Sequence, residues 1–317
     1  MSRFAYRVQG AQIARMRPDD VVAAGDCELV WVHLDTADEE TQRWLANIAK
    51  LPDYLVDALT AMESRPRCDQ IGEGAFLNLR GRSCGEMTTA DPLASVRIWA
   101  LGGQVYSVTR RQVNALAHVA AALEAGGIHD PGDLIAEFAT AITTELDPEV
   151  ADLGDLLDDC EERLDAERVF ELRRVVTRVR ATAIGYRRFL SPQRTAIEKL
   201  AALPVGWLHT DDRAHLSAAA DRAARMVEEL ESIRERSALM HEALTDLRAE
   251  QIDQRSLIIA VVAMIFLPLT FLTGLLGMNV KGIPYADAPW AFDGVVWACV
   301  AISGVISLYF VRRRWFR

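Results

Sequence analysis

In this 317-residue chain, the residues best suited to handling an ion crowd into the last quarter. Gly277-Met278-Asn279 sits between two apolar stretches. Lys281 and Asp287 follow it, and Asp293 stands near the start of the second stretch. An asparagine offers a neutral carbonyl oxygen. A ring of such oxygens can hold a hydrated cation without trapping it, and conduction requires binding weak enough to release the ion. Upstream, Asp246, Ala249, Asp253, Ser256, Ala260, Ala263, Leu267, Thr270 and Gly274 recur at alternating spacings of three and four. On a helix that pattern gathers them on one face. Leu267 apart, the face consists of small, hydroxylated or carboxylate side chains, while Ile258, Ile259, Ile265, Phe266 and Phe271 fall elsewhere around the helix. Small residues let helices approach closely, and hydroxyls give polar atoms to an interface or a pore. A tight helix–helix contact would use the same face. Asp253 at one end favours a pore, because its copies about a symmetry axis would form an acidic ring.

The elements that must carry these residues are membrane spans. Ser256–Leu276 holds no charge, and its roughly 21 residues suffice for a helix to cross about 30 Å of hydrocarbon. Trp290–Val311 is the second span, with Asp293 as its one charge. Pro268 frees a backbone carbonyl inside the first span, where neighbours or pore water must satisfy it. Gly277 permits a turn at the helix end. Arg248 and Arg255 precede the first span, and Arg312, Arg313, Arg314 and Arg317 follow the second, whereas the connecting loop has only Lys281. Basic flanks stay cytoplasmic, so both termini are predicted inside and the Gly-Met-Asn loop outside. The N-terminal stretch lacks a signal-peptide core, so the chain before the first span is predicted to be cytosolic.

That cytosolic part divides in two. Residues 1–146 read as an α/β domain. Glu28–Asp35, Ala75–Arg80, Ala94–Leu101 and Gln104–Thr109 are β-rich, Gly102-Gly103 is a hairpin signal, and helix patterns run from about 38 to 48, after Pro52, near Val113 and near Pro131. Beyond Asp147-Pro148 the strand signals stop, and residues 147–255 read as a helical stalk. Pro204-Val205-Gly206 breaks it, and one long helix then runs from Asp211 into the membrane domain, 256–317. Leu216, Ala219, Ala223, Met226, Leu230, Ile233, Ser237, Met240, Leu244 and Leu247 form a heptad seam along that helix. The seam must pack against the preceding helices, against copies of itself, or both.

Other readings are weaker. A net charge of -10 argues against a nucleic-acid partner. Cys27, Cys68, Cys84, Cys160 and Cys299 form no C-x-x-C pair and are expected as free thiols. No G-x-S-x-G or Walker pattern supports an enzyme, and no resident cofactor is implied. Gly72-Glu73-Gly74 reads as a hairpin turn. His209, Asp211, Asp212 and His215 cluster at a helix start, as a capped terminus or a cytosolic metal site. The acidic run Asp152–Glu162 reads as a solvated helix face, with pairing to the basic stretch Arg173–Arg188 or cation binding as alternatives. A membrane-anchored coiled-coil scaffold or sensor would explain the seam and the spans, but neither Gly-Met-Asn nor the small-residue face.

With Gly277-Met278-Asn279 closing the first of two C-terminal spans, after a long helix and an α/β domain, the whole chain resembles the CorA family of divalent metal-ion transporters. WVHLD at Trp31–Asp35, ESRPRCDQIGEG at Glu63–Gly74, SVRIW at Ser95–Trp99, YRRFLSPQRTAIEKL at Tyr186–Leu200 and GMNVKGIP at Gly277–Pro284 resemble its zinc-transporting ZntB branch. Magnesium-transporting members usually place an acidic residue soon after the Asn; here Val280-Lys281-Gly282-Ile283-Pro284 follows. A Mg2+, Co2+ or Ni2+ transporter is the alternative cargo reading within the family. The resemblance implies a funnel-shaped homopentamer in the bacterial inner membrane, with divalent cations as cargo and protons as a possible coupling ion. It implies Gly277, Met278 and Asn279 as the outer selectivity filter, and Asp253, Ser256, Ala260, Ala263, Leu267, Thr270 and Gly274 as pore lining. Asn279 and Asp253 would contact the metal. Lys281 departs from the small residue usual there, and Asp287 and Asp293 would offset its charge.

Overall fold

The computed structural model describes residues 3–23, 28–62, 65–84, 92–165, 168–278, 282–283, 285 and 288–312. They form two compact units, residues 1–163 with 174–239, and residues 164–173 with 240–317.

The first unit is built on a seven-stranded sheet. β1 (Phe4–Gln9), β2 (Gln12–Met16), β3 (Leu29–Leu34), β4 (Arg67–Ile71), β5 (Gly74–Arg82), β6 (Leu93–Leu101) and β7 (Gln104–Thr109) lie in the order β2-β1-β3-β7-β6-β5-β4. Every pairing is antiparallel except β3 with β7. A parallel pair needs a crossover. Here the chain between them supplies α1 (Glu39–Asn47), α2 (Asp53–Thr60) and β4 to β6. Asp38 caps α1 by accepting the Thr41 N–H at 2.8 Å. Gly102 and Gly103, at φ +48° and +85°, make the β6–β7 hairpin turn that a Cβ would strain.

β3 is buried along its whole length, as a central strand must be. Its alternate residues serve two cores. Val30, Val32 and Leu34 join Trp44, Leu45, Leu55 and Leu59 of α1 and α2 in one cluster. Trp31 meets Phe138 edge-on from the opposite face, 5.7 Å between ring centroids. Phe138 belongs to α4 (Pro131–Glu162), which follows α3 (Asn114–Glu124).

The stalk helices follow. α4 runs through Asp147-Pro148 without a break, so the loss of strand signals near residue 146 falls inside a helix. α5 spans Val169–Ala201, and α6 spans Thr210–Leu276, 67 residues or about 100 Å at 1.5 Å per residue. The α6 seam is buried by its own chain: Leu216, Ala219, Ala223, Met226, Leu230 and Ile233 are within 1% of complete burial. Ile233 lies against α4 at Gly154, and Arg187 of α5 pairs with Glu231 at 2.5 Å. In the second unit, α7 (Ala291–Arg312) follows α6.

Candidate functional site

α6 carries the apolar stretch Ser256–Leu276 as unbroken helix, with Pro268 inside it. The bulky side chains do not distinguish its faces, since Ile259, Phe266 and Phe271 are exposed at 69%, 61% and 70%. Shielding does. Leu257, Val261, Ile265, Pro268, Leu272 and Leu276 are partly or fully covered, again at spacings of three and four. Among the described residues of this unit, the other helix long enough to shield them is α7. Its own covered positions, Ala291, Val295, Cys299, Ile302, Ile306 and Phe310, follow the same period. The stripe read from the sequence lies one or two residues before the shielded positions, and so on a different face of the helix. Asp253, Ser256, Ala260, Ala263, Leu267, Thr270 and Gly274 are all exposed. The chain's own second helix therefore does not use the small-residue face.

That face has a defined polarity. The Thr270 hydroxyl donates its proton to the Phe266 carbonyl at 2.8 Å, and Thr273 donates to Leu269 at 2.9 Å. A hydroxyl so bonded offers its surroundings only lone pairs, the polarity a cation or its hydration shell requires. At the end of α6, the Gly277 N–H donates to the Thr273 carbonyl at 2.9 Å. A Cβ at Gly277 would stand 3.0 Å from that same oxygen, so close approach to the last turn explains glycine there. Met278 is exposed. Asp293 is exposed in the first turn of α7, where the helix dipole favours a carboxylate. Asn279, Lys281 and Asp287 lie outside the described residues.

A second cluster lies in the first unit. Of the residues grouped at the α6 start, Asp211 and His215 are exposed, whereas Asp212 is 1% exposed and turned inward. Its neighbours are Asp130 and Asp133 at the start of α4, which sequence reading missed; one carboxylate oxygen from each of the three lies within 4.8 Å of the others. Asp130 is the α4 N-cap and accepts the Asp133 N–H at 2.9 Å, and Asp212 accepts the His209 N–H at 2.7 Å. Burial, reinforced by the charges of Asp130, Asp133 and Asp211, pushes the Asp212 carboxyl up to about 6 against the opposing His209 hydrogen bond. Capping residues at two helix starts 82 residues apart, Asp130 and Asp212, gave no sequence signal of meeting. The acidic run has an exposed face as expected, but Asp158 and Glu161 pair with Arg236 of α6, not with the basic stretch of α5. Cys68, Cys84, Cys160 and Cys299 are free thiols; Cys27 is outside the described residues.

An α/β domain, a helix that continues into an apolar segment with a bare small-residue face, and a second apolar helix together define a membrane protein with two candidate transmembrane helices. Comparison with known proteins gives the class its family. The family described as CorA-like Mg2+ transporter protein matches residues 26–313. The zinc transport protein ZntB of Pectobacterium atrosepticum is 31% identical over 98% of this chain and 95% of its own length. The divalent cation transporter CmaX of Pseudomonas aeruginosa is 34% identical over 91% of this chain and 88% of its own. The CorA magnesium transporter of Methanocaldococcus jannaschii has the same fold, with a TM-score of 0.82 at 16% identity over 99% of both chains. The chain belongs to the CorA family of divalent-cation transporters.

Proposed function

We propose that copies of this chain assemble as a pentamer in the bacterial cytoplasmic membrane, termini inside, and that α6 lines an axial pore for Zn2+. The observation that carries this reading is the face of Ser256, Ala260, Ala263, Thr270 and Gly274, exposed along the apolar part of α6 and left uncovered by α7. Facing lipid, the free lone pairs of these hydroxyls would meet no donor or cation; facing an axis, they line a wet path. Asp253 stands on the same stripe before the uncharged segment, and Gly277-Met278-Asn279 follows its far end, so an acidic ring and a ring of amide oxygens bracket the pore. Zinc as cargo is supported by the printed name of the ZntB relative and by the absence of an acidic residue in Val280–Pro284. The membrane potential, worth roughly 2.3 kcal/mol per charge per 100 mV, drives a divalent ion inward.

Flux into vesicles holding the purified protein tests this reading, with Zn2+, Co2+, Ni2+ and Mg2+ compared with and without a pH gradient. Zn2+ uptake exceeding Mg2+ uptake is expected. Faster Mg2+ uptake would replace zinc as the cargo, and response to the pH gradient would assign proton coupling. A monomer or dimer as the sole species in mild detergent would overturn the pore.

A further inference from the structure

The C-terminal end of α7 carries a groove that the transport reading does not use. Its volume is about 410 Å3, and among the described residues it is lined by Val305, Leu308, Tyr309 and Arg312. Spacings of three, one and three put these four on one face of the helix. None is among the covered positions of α7, and Val305, Leu308 and Tyr309 are 69%, 59% and 51% exposed. Their covered neighbour Phe310 meets the Tyr309 ring edge-on, 5.6 Å between centroids. Arg312 stands exposed in the last turn, and no carboxylate among the described residues pairs with it. A helix C-terminus favours a cation without any ligand, so Arg312 alone marks no site. The groove adds an apolar wall that leads up to the guanidinium.

We infer that this groove binds an anionic phospholipid of the inner leaflet, with the phosphate on Arg312 and an acyl chain along Val305 and Leu308. Three features select this occupant. α7 is one of the two candidate transmembrane helices, so hydrocarbon reaches the groove. From Val305 to Arg312 the lining passes from aliphatic to aromatic to cationic within about 10 Å at 1.5 Å per residue, the order of acyl chain, interface and headgroup. A guanidinium grips two phosphate oxygens through parallel N–H bonds while its stem lies along an apolar wall. Charge sets the lipid class. A zwitterionic headgroup brings its own cation beside the arginine, whereas a net-negative one does not. The leaflet rests on the proposed orientation, with the C-terminus inside; the site itself does not rest on the pore or its cargo.

Native mass spectrometry of the full-length protein in mild detergent tests it, with phosphatidylglycerol compared with phosphatidylcholine of the same acyl chains. Wild type is expected to hold one phosphatidylglycerol per chain at concentrations where phosphatidylcholine is lost. Arg312→Gln should weaken phosphatidylglycerol about fivefold or more, and phosphatidylcholine less. Val305→Trp, which fills the groove and keeps the charge, should weaken both lipids. Arg43→Gln, an exposed arginine of α1, should change neither. The same spectra count the chains per assembly, so failure of the pentamer is read separately from failure of the lipid site. Equal retention of the two lipids by wild type would overturn the inference. So would phosphatidylglycerol held by Arg312→Gln as tightly as by wild type, since Arg312 would then serve only the helix end. An assembled wild type that holds neither lipid would assign the groove to a neighbouring copy of the chain instead.

Discussion

α6 carries two stripes of the same period, and the chain treats them in opposite ways. Along Leu216–Ile233 the seam is apolar and buried against α4 and α5. Along Ser256–Gly274 the stripe is small and polar, and exposed although α7 is available to cover it. Heptad spacing identifies a face that will be used; side-chain type decides by what. Leu and Met pay their way only where water is excluded, so the chain's own helices cover them. Ser, Thr, Ala and Gly gain little from a neighbouring apolar helix and much from close-packed copies or from water.

The sharpest way to break this contrast is to place charge on the bare stripe. Asp253→Lys is expected to suppress zinc uptake, because a basic ring repels divalent cations, while assembly persists; Asp253→Asn should weaken cation occupancy and reduce uptake less. Uptake at the wild-type rate by assembled Asp253→Lys protein would remove Asp253 from the pore. Asn279→Ala should likewise abolish or de-select transport with assembly intact.

Next in size is the buried seam. Leu230→Ala should destabilise the first unit by about 2–5 kcal/mol, read as a lower denaturation midpoint, since a fully buried leucine leaves a cavity. Leu267, on the other stripe and 73% exposed, should cost less than about 0.5 kcal/mol when cut to Ala, yet change zinc flux. A similar midpoint loss in both would show that the two stripes are not differently employed.

The contrast also explains what the sequence revealed. Both periods, the spans, β3, β5, β6, β7 and their helices were legible because each has strong apolar patterning. β1 and β2 were missed: QIARM at Gln12–Met16 is an exposed edge strand, partnered on one side by β1, and lacks buried alternation. Asp147-Pro148 reads as the boundary between the α/β domain and the helical stalk, yet α4 continues through it. Leu146, Val150, Leu153 and Leu157 are buried on both sides of it, while Pro148 and Thr144, whose carbonyl loses its partner, are exposed and open to hydration. Asp212 was visible at a helix start, but its partners Asp130 and Asp133 were not, because only tertiary packing brings the two starts together.

Within the first unit, burial of charge gives a pH signature. His33 is buried, with Nδ1 2.9 Å from Ser107 Oγ, and burial lowers its pKa from 6.5 to about 3. The unfolded chain takes up a proton near pH 6.5 that the folded chain refuses until about pH 3. Stability is therefore complete above this window and falls as pH drops through it, by up to about 1.4 kcal/mol per pH unit. Between about pH 7 and pH 5, His33→Asn should show a shallower loss of melting temperature than wild type. Parallel profiles would show that His33 is not a source of the acid sensitivity.

The smallest effect belongs to the charges that accompany the seam. Arg236 pairs with Asp158 and with Glu161, the latter at 2.8 Å, and these carboxylates raise its already high pKa. All three side chains remain at least one-third exposed, so water and salt screen the pairs and the gain is small. Arg236→Gln, which keeps much of the side-chain stem, should cost less than about 1 kcal/mol at low ionic strength and almost nothing near 1 M salt, where the screening length is about 3 Å. The comparison is with Leu230→Ala, whose cost salt should not diminish, because burying apolar area does not depend on charge. If the Arg236→Gln loss exceeded about 2 kcal/mol and survived high salt, the α4–α6 contact would be held by desolvated ion pairs, and the seam would not be the main tie between these helices.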